Sequence, residues 1–358
     1  MGKICFLKPF PILTEFCKRF IILVFFISAV PFLSHAQAAP AWVTNAERVY
    51  PGSEWIAVTA QGNSRPQAEA GAMNALARVF RTNIESITQA SQQFSQIINN
   101  TAGSKNVSFE ENSNFFLEVN TSTNVSGLIG VQIDVYTARN NTVHVCARMN
   151  RIECASRYSS LINENSKIIN RLLAAAGASG TFETYARLNF AHSLAQVTDN
   201  FQNILEVLDP SAVNRKPSYG SANAIKVKML ECASLITIGI ALDTEVSADK
   251  TLLTRAAGSF FKDLGFKTDE RGTGDYVLRA NVRFEDLSQN VFSCRYIFDA
   301  SIYSRLGTSI FSFTENDRKS HRNSASEARR LAVQSVENSF KEENFAKEFN
   351  SWLNTMLE

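Results

Sequence analysis

Apolar positions along the chain switch repeatedly between a period of two and a helical period. Trp55 to Ala60 alternates as a short strand, and Gly62-Asn63-Ser64 closes it. Ser64 with Gln67 then makes a capping box, and Pro66 falls in the first helical turn, where its missing N–H costs nothing. Leu76, Phe80, Ile84, Ile87, Phe94 and Ile98 recur in steps of three, four and seven, which predicts a long helix with Arg78, Arg81 and Glu85 outside its stripe. Ala68, Ala72 and Ala75 let its first turns approach a sheet. Residues 99–114 are rich in Asn, Ser, Thr and Gly and read as a loop, after which Phe115 to Val119 resumes the sheet. Ile129, Val131, Ile133 and Val135 alternate with Gly130, Gln132 and Asp134 as a half-buried strand. Asn140-Asn141 suits a tight hairpin. The returning strand turns Val143, Val145, Ala147 and Met149 inward and Thr142, His144, Cys146 and Arg148 outward.

From Arg151 the period is helical again, with Ile152, Ala155, Ile162, Ile169 and Leu173 on one face, until Gly177 and Gly180 break the chain. Leu188, Ala191, Ala195, Phe201, Leu205 and Leu208 mark a second helix that runs to Asp209-Pro210, so the pair forms a helical hairpin. Further on, Ile236, Ile238, Ile240 and Leu242 alternate, Ser247 is placed as a helix cap, and Leu253, Ala256, Phe260 and Leu264 stripe the helix that Gly265-Phe266 ends. Two alternating strands follow, one turning Tyr276, Leu278, Ala280, Val282 and Phe284 inward, the other Phe292, Cys294, Tyr296, Phe298, Ala300 and Ile302. Ile310 to Phe313 supplies a third strand. Ser324 with Glu327 opens a helix through Ala328, Leu331, Ala332, Val336 and Phe340, and the register slip near Glu343 puts Phe345, Phe349 and Leu353 on a kinked or separate last helix.

The expected fold is α+β: two α/β sandwich-like modules with antiparallel sheets and long helices, joined by a helical hairpin. The expected boundaries are 1–38 for a signal peptide, 39–150 for the N-terminal module, 151–208 for the hairpin, 209–223 for a linker and 224–358 for the C-terminal module.

The opening residues change the picture of where the chain works. Lys3, Lys8, Lys18 and Arg19 precede an apolar run from Phe20 to Leu33, and the small-residue triplet Ala36-Gln37-Ala38 follows, the order of an export signal cleaved after Ala38. The run is 14 residues, against about 20 for a bilayer-spanning helix. Cys5 and Cys17 lie ahead of it rather than at the cleavage site, so no lipid anchor is expected. Removing residues 1–38 takes four bases and one acid, so 36 Lys and Arg against 34 Asp and Glu become 32 against 33. A neutral chain gives no electrostatic case for nucleic acid. Cys146, Cys154, Cys232 and Cys294 remain, an even set that leaves disulfides and buried thiols both open; Cys232 is the expected partner of Cys294 if a bridge forms.

Pro40-Ala41-Trp42-Val43, the strand at Trp55, the Ala-rich helix from Pro66 and the segment Val143-His144-Val145-Cys146-Ala147-Arg148-Met149-Asn150-Arg151 resemble the family of twenty-kilodalton bacterial lipoproteins and the N-terminal module of flagellar T-ring-type proteins. The resemblance covers residues 40–175. It implies a bacterial envelope protein without known catalytic residues. The lipid-bearing cysteine of that family is missing here. The C-terminal order of elements resembles α/β modules of envelope assembly factors at the level of fold alone.

Candidate chemistry is sparse. His144, His192 and His321 fall in separate elements without ligand spacing, and each reads as a surface residue, His321 within the mixed-charge loop Asp317–Arg322. Ser179 in Gly177–Gly180 lacks a nucleophile elbow, and Gly272-Thr273-Gly274 precedes a strand rather than opening a helix. Asp243, Glu245 and Asp249 read as helix-start acids. No catalytic, cofactor or metal residue is assigned. The expected role is non-catalytic binding of an envelope protein, with peripheral membrane association left open; the alternative is a secreted enzyme whose site assembles from residues far apart in sequence. Intact-mass measurement on protein from the envelope is expected to give a chain starting within a few residues of Ala39. The full 358-residue mass, or added lipid, would contradict it.

Overall fold

The computed structural model describes residues 39–80, 128–214, 216–287, 292–321, 324–341 and 343–357. The expected helix positions Ile84 to Ile98, the strand Phe115 to Val119 and the signal at 1–38 lie outside these residues.

Two short helices, α1 (Ala41–Thr44) and α2 (Ala46–Val49), precede strand β1 (Trp55–Gly62). At the start of α3 (Arg65–Val79), Ser64 Oγ accepts from the Gln67 N–H at 3.4 Å, and Gln67 Oε1 accepts from the Asn63 N–H at 3.0 Å. The reciprocal bond thus reaches one residue further back than in a standard capping box. Strands β2 (Gln132–Thr137) and β3 (Val143–Asn150) complete an antiparallel sheet of order β1-β3-β2. The turn between them puts Asn141 at φ 63°, a backbone region that Asn tolerates. Val143, Val145, Ala147 and Met149 face inward as expected, against Ala68, Ala72, Met73 and Leu76 of α3. Val135 lies opposite Val145 on the same face but is 37% exposed, because β2 is an edge of the sheet.

The hairpin consists of α4 (Arg151–Ala175) and α5 (Phe182–Leu208). Asn150 Oδ1 caps α4 through the Glu153 N–H at 3.0 Å, which fixes its rotation. The buried stripe is Cys154, Tyr158, Leu161, Asn165, Ile169 and Leu172, so Ile152, expected on the buried face, is 79% exposed. Past α5, Pro210–Asn214 is a short 3-10 helix within the expected linker. Ser221 then caps α6 (Ala222–Ser234), a helix that the pattern reading leaves unassigned, since Ile225, Met229 and Cys232 are a sparse apolar stripe.

The C-terminal sheet has the order β5-β4-β6-β7-β8, from β4 (Thr237–Thr244), β5 (Lys267–Asp269), β6 (Tyr276–Asp286), β7 (Phe292–Ser304) and β8 (Ser309–His321). It is mixed, not antiparallel. β4 runs parallel to β5 and β6 because α7 (Ser247–Asp263) carries the chain back before the sheet resumes. Val246, not Ser247, is the N-cap of α7, and it makes no side-chain cap bond. Gly265, at φ 92°, ends that helix with the Phe266 N–H donating to Phe261 O at 3.0 Å. Phe292, expected inward, is 41% exposed at the first position of β7, opposite His321. The residues expected as a charged loop continue β8 to His321, paired along β7. Two helices, α8 (Ala325–Lys341) and α9 (Asn344–Thr355), then cover the sheet. Phe298, Phe311, Phe313, Phe340, Phe345 and Phe349 make a connected aromatic core there, with ring centroids 4.8–6.3 Å apart.

One hairpin serves both cores. Tyr158, Leu161 and Ile162 of α4 with Val197, Phe201 and Ile204 of α5 belong to the N-terminal core. Ile169 and Leu172 with Phe182, Ala191 and Leu194 belong to the C-terminal one. Between them lies a buried polar seam, where Asn165 Nδ2 donates to Thr198 Oγ1 at 3.0 Å and Thr198 Oγ1 donates to Leu194 O at 2.8 Å. Replacing Thr198 by Val strands the Asn165 amide and is expected to destabilise by about 1–3 kcal/mol, whereas Asn165→Leu with Thr198→Val recovers most of that loss. Phe298→Ala is expected to cost about 3–5 kcal/mol. Urea denaturation of the variants measures both.

Candidate functional site

Titratable side chains gather at places the sequence does not single out, and each gathering is built on a carboxylate that accepts a tyrosine hydroxyl. In the first, Tyr50 Oη donates to Asp134 Oδ2 at 2.7 Å and Arg148 Nε donates to the same oxygen at 2.8 Å. The Arg148 guanidinium lies 4.8 Å from the Tyr50 ring centre and 4.9 Å from that of Trp55. This clamp ties the segment after α2 to the sheet face expected to be outward, which is why Cys146 on that face is fully buried. Burial, then the bond to Asp134, pushes the Tyr50 hydroxyl up to about 12. Burial works to raise the Asp134 carboxyl as well, but the bonds from Arg148 and Tyr50 and the Arg148 charge outweigh it, so the acid is held below its ordinary value.

The second gathering centres on Asp199, which accepts from Tyr219 Oη at 2.7 Å and from the Ala222 N–H at 2.9 Å. It fastens the start of α6 to α5. His192 belongs here and not on the hairpin surface: its Nδ1 lies 3.0 Å from Ala222 O, and burial followed by the nearby Lys226 charge lowers its pKa from 6.5 despite the bond to that carbonyl and the Asp199 charge. In the third, Glu315 accepts from Tyr296 Oη at 2.6 Å, Ser339 Oγ at 2.7 Å and Asn344 Nδ2 at 2.8 Å. It joins the sheet to the elbow between α8 and α9. Burial, then Glu315, pushes the Tyr296 hydroxyl far up. All three tyrosines act as fixed donors.

The remaining candidates are not brought together. His144 packs beside Tyr136, with ring centres 6.2 Å apart, and His321 ends β8. Ser179 Oγ bonds Thr184 Oγ1 at 3.2 Å within the helix break. The Gly272-Thr273-Gly274 turn lies so close to β4 that a Cβ on Gly239 would stand 2.6 Å from Gly272 C. Asp243 pairs with Lys250 at 3.3 Å and Asp249 with Arg329 at 2.9 Å, so those acids serve separate partners. Among the described residues, no three His, Cys, Asp or Glu side chains converge to hold a metal ion. The four cysteines among the described residues are free and buried; Cys232 Sγ donates to Ser179 O at 3.7 Å, and no bridge joins it to Cys294. Burial pushes the Cys146 and Cys154 thiols up to about 11, out of the thiolate range at neutral pH.

An open cleft of about 580 Å³ lies where α4 starts and α5 ends, lined in part by Arg151, Ile152, Ala155, Ser156 and Leu208. Its cation is already engaged: Arg151 donates to Gly52 O at 2.8 Å, Val207 O at 2.6 Å and Leu208 O at 3.2 Å, satisfying carbonyls at the C-terminus of α5. The cleft offers apolar contact and serine hydroxyls. No helix among the described residues is long and apolar enough to cross a membrane.

No protein-family model matches the chain, and no curated protein sequence matches it. Among solved structures, a secreted protein from Helicobacter pylori is 12% identical with a TM-score of 0.39, over 83% of this chain and 97% of that one. A minor lipoprotein from Acinetobacter baumannii is 15% identical with a TM-score of 0.22, over 29% of this chain and 89% of its own. A lipoprotein from Neisseria meningitidis is 13% identical with a TM-score of 0.22, over 30% and 99%. These likenesses are too low to assign a family.

Two of the shifted groups, His192 and Asp134, predict distinct pH responses. His192 has a depressed folded pKa, so the unfolded chain binds its proton first, and stability falls as pH drops through the ordinary 6.5 toward the folded value. Asp134 also has a depressed folded pKa; its contribution is present above the ordinary carboxylate value of 3.8 and disappears as pH falls below it. Denaturation curves across pH are expected to lose the upper step in His192→Gln and to show a smaller lower one in Asp134→Asn, Asp269, Asp317 and Glu327 keeping the rest.

Proposed function

We propose that the chain is an exported bacterial envelope protein that acts by binding a protein partner, as a component of an envelope or flagellar assembly, without catalysing a reaction. The observation that carries this reading is the closure of the ionisable clusters. Asp134, Asp199 and Glu315 each hold two or three donors that tie separate elements together. Their tyrosines and the buried thiols are held protonated, a state that stabilises architecture and suits neither a nucleophile nor a general base. The export-type opening of the sequence and the resemblance of residues 40–175 to twenty-kilodalton lipoproteins support the compartment.

A deletion strain complemented with variants tests the proposal. His144→Ala, His321→Ala and Ser179→Ala are expected to change stability by less than about 1 kcal/mol and to restore the phenotype in full. Phe298→Ala is expected to deplete the folded protein and fail. A histidine or serine variant that accumulates, folds normally and still fails to complement would replace the binding reading with an enzymatic one.

A further inference from the structure

Helix α6 is held to the C-terminal core by few apolar side chains. Of its 13 residues, Ala222, Ile225, Met229, Cys232 and Ala233 are buried, and the face they make lies chiefly against α5. Ahead of it the chain turns at Gly220, whose φ of 91° is a backbone region that glycine enters without strain, and a Cβ there would meet open space. A short helix with a small apolar face, entered through a glycine turn, belongs to the part of a fold that opens locally.

The first turn of α6 is gripped from both sides of one residue. The Ala222 N–H donates to Asp199 Oδ2 at 2.9 Å, and Ala222 O lies 3.0 Å from His192 Nδ1. A carbonyl only accepts, so Nδ1 carries the proton and the neutral ring keeps its lone pair on Nε2. Both gripping side chains come from α5, about two turns apart on one face. The charges that bear on the ring are Asp199 of α5 and Lys226 of α6, one turn beyond Ala222. The Tyr219 hydroxyl, from the segment before α6, is engaged by Asp199 at 2.7 Å. A further proton on Nε2 therefore puts positive charge on a half-buried ring beside a lysine of the docked helix.

We infer that His192 and Asp199 form an acid-sensitive latch: with the ring neutral α6 is docked on α5, and protonation of His192 releases it about Gly220 while the two cores stay folded. Release returns the ring to water and separates it from Lys226, so the open form takes the proton more readily. In the docked form burial, then Lys226, lowers the His192 pKa from 6.5 against the pull of the carbonyl and Asp199. The contribution of the latch is thus complete above 6.5 and is lost as pH falls toward the docked value. Opening uncovers Ile225, Met229 and the Cys232 thiol, which the docked form hides. The latch does not rest on the proposed function, since it acts alike in a binding protein and in an enzyme.

Hydrogen exchange on the full exported chain at about pH 7.5 and about pH 5.5, corrected for the intrinsic rate at each, tests the latch. The amides of Ile225 to Ser234 are expected to be less protected than those of β4 and β7, and to exchange at a rate that low urea does not change, the mark of a local opening. Their opening is expected to rise about threefold to tenfold in acid, tenfold being the ceiling for one proton and an ordinary value of 6.5. His192→Gln keeps an N–H for Ala222 O and cannot titrate, so the rise disappears. Lys226→Gln, at an exposed position, is expected to reduce it. Amides of α6 that exchange only together with the core overturn the inference. So does exchange that acid does not raise, or a rise that stays undiminished in either variant.

Discussion

The α4–α5 hairpin is the constraint on which the rest of the structure depends. The pair is long enough for its two ends to be buried in different cores, and the change of core falls at a polar seam. Asn165 is fully buried, yet its Oδ1 has no hydrogen-bond partner among the described side chains and backbone. A buried amide that bonds only Thr198 has one good register. Sliding either helix by a turn would break that bond and bring apolar residues of each core against polar ones of the seam. The seam therefore fixes the position of each core along the hairpin, at a cost in stability that an all-apolar hairpin would not carry.

The carboxylate clamps do for the irregular parts what the seam does for the hairpin. The segment around Tyr50, the stretch around Tyr219 and the α8–α9 elbow are each too short to bury much apolar surface of their own. Each is held by a tyrosine or serine hydroxyl, or a backbone N–H, donating to a partly buried acid. Charge-assisted bonds of this kind are strong because the acceptor is ionised and shielded from water. In each clamp the perturbed tyrosine is also the engaged one: its hydroxyl donates to the acid that raises its pKa.

The contrast between the edges has the same logic. A sheet edge is a row of unsatisfied donors and acceptors, and a protein either blunts it or uses it. β8 is blunted by a bulge and by charge, although it is the longer strand and the better packed. β1 is uncharged and unbroken in register along β3.

Sequence alone determined the elements whose pattern and punctuation agree. The inward rows of β3, β6 and β7 after Phe292, the Gly265 stop, the Ser64 and Ser324 caps and the break near Glu343 all follow from local rules, because side-chain alternation and capping act over a few residues. Tertiary structure decided what depends on neighbours far along the chain. Ile152 and Leu172 are both good helix residues in an apolar pattern, and only the rotation imposed by the Asn150 cap and the facing α5 exposes one and buries the other. The parallel pairing of β4 with β6 comes from the path of α7, which no strand pattern records. The clamps were illegible for the same reason: Tyr50 and Asp134 are 84 residues apart, and Tyr296, Glu315 and Ser339 lie on three different elements. An acid in an alternating strand reads as a solvent-facing residue until the fold lays a tyrosine and an arginine across it.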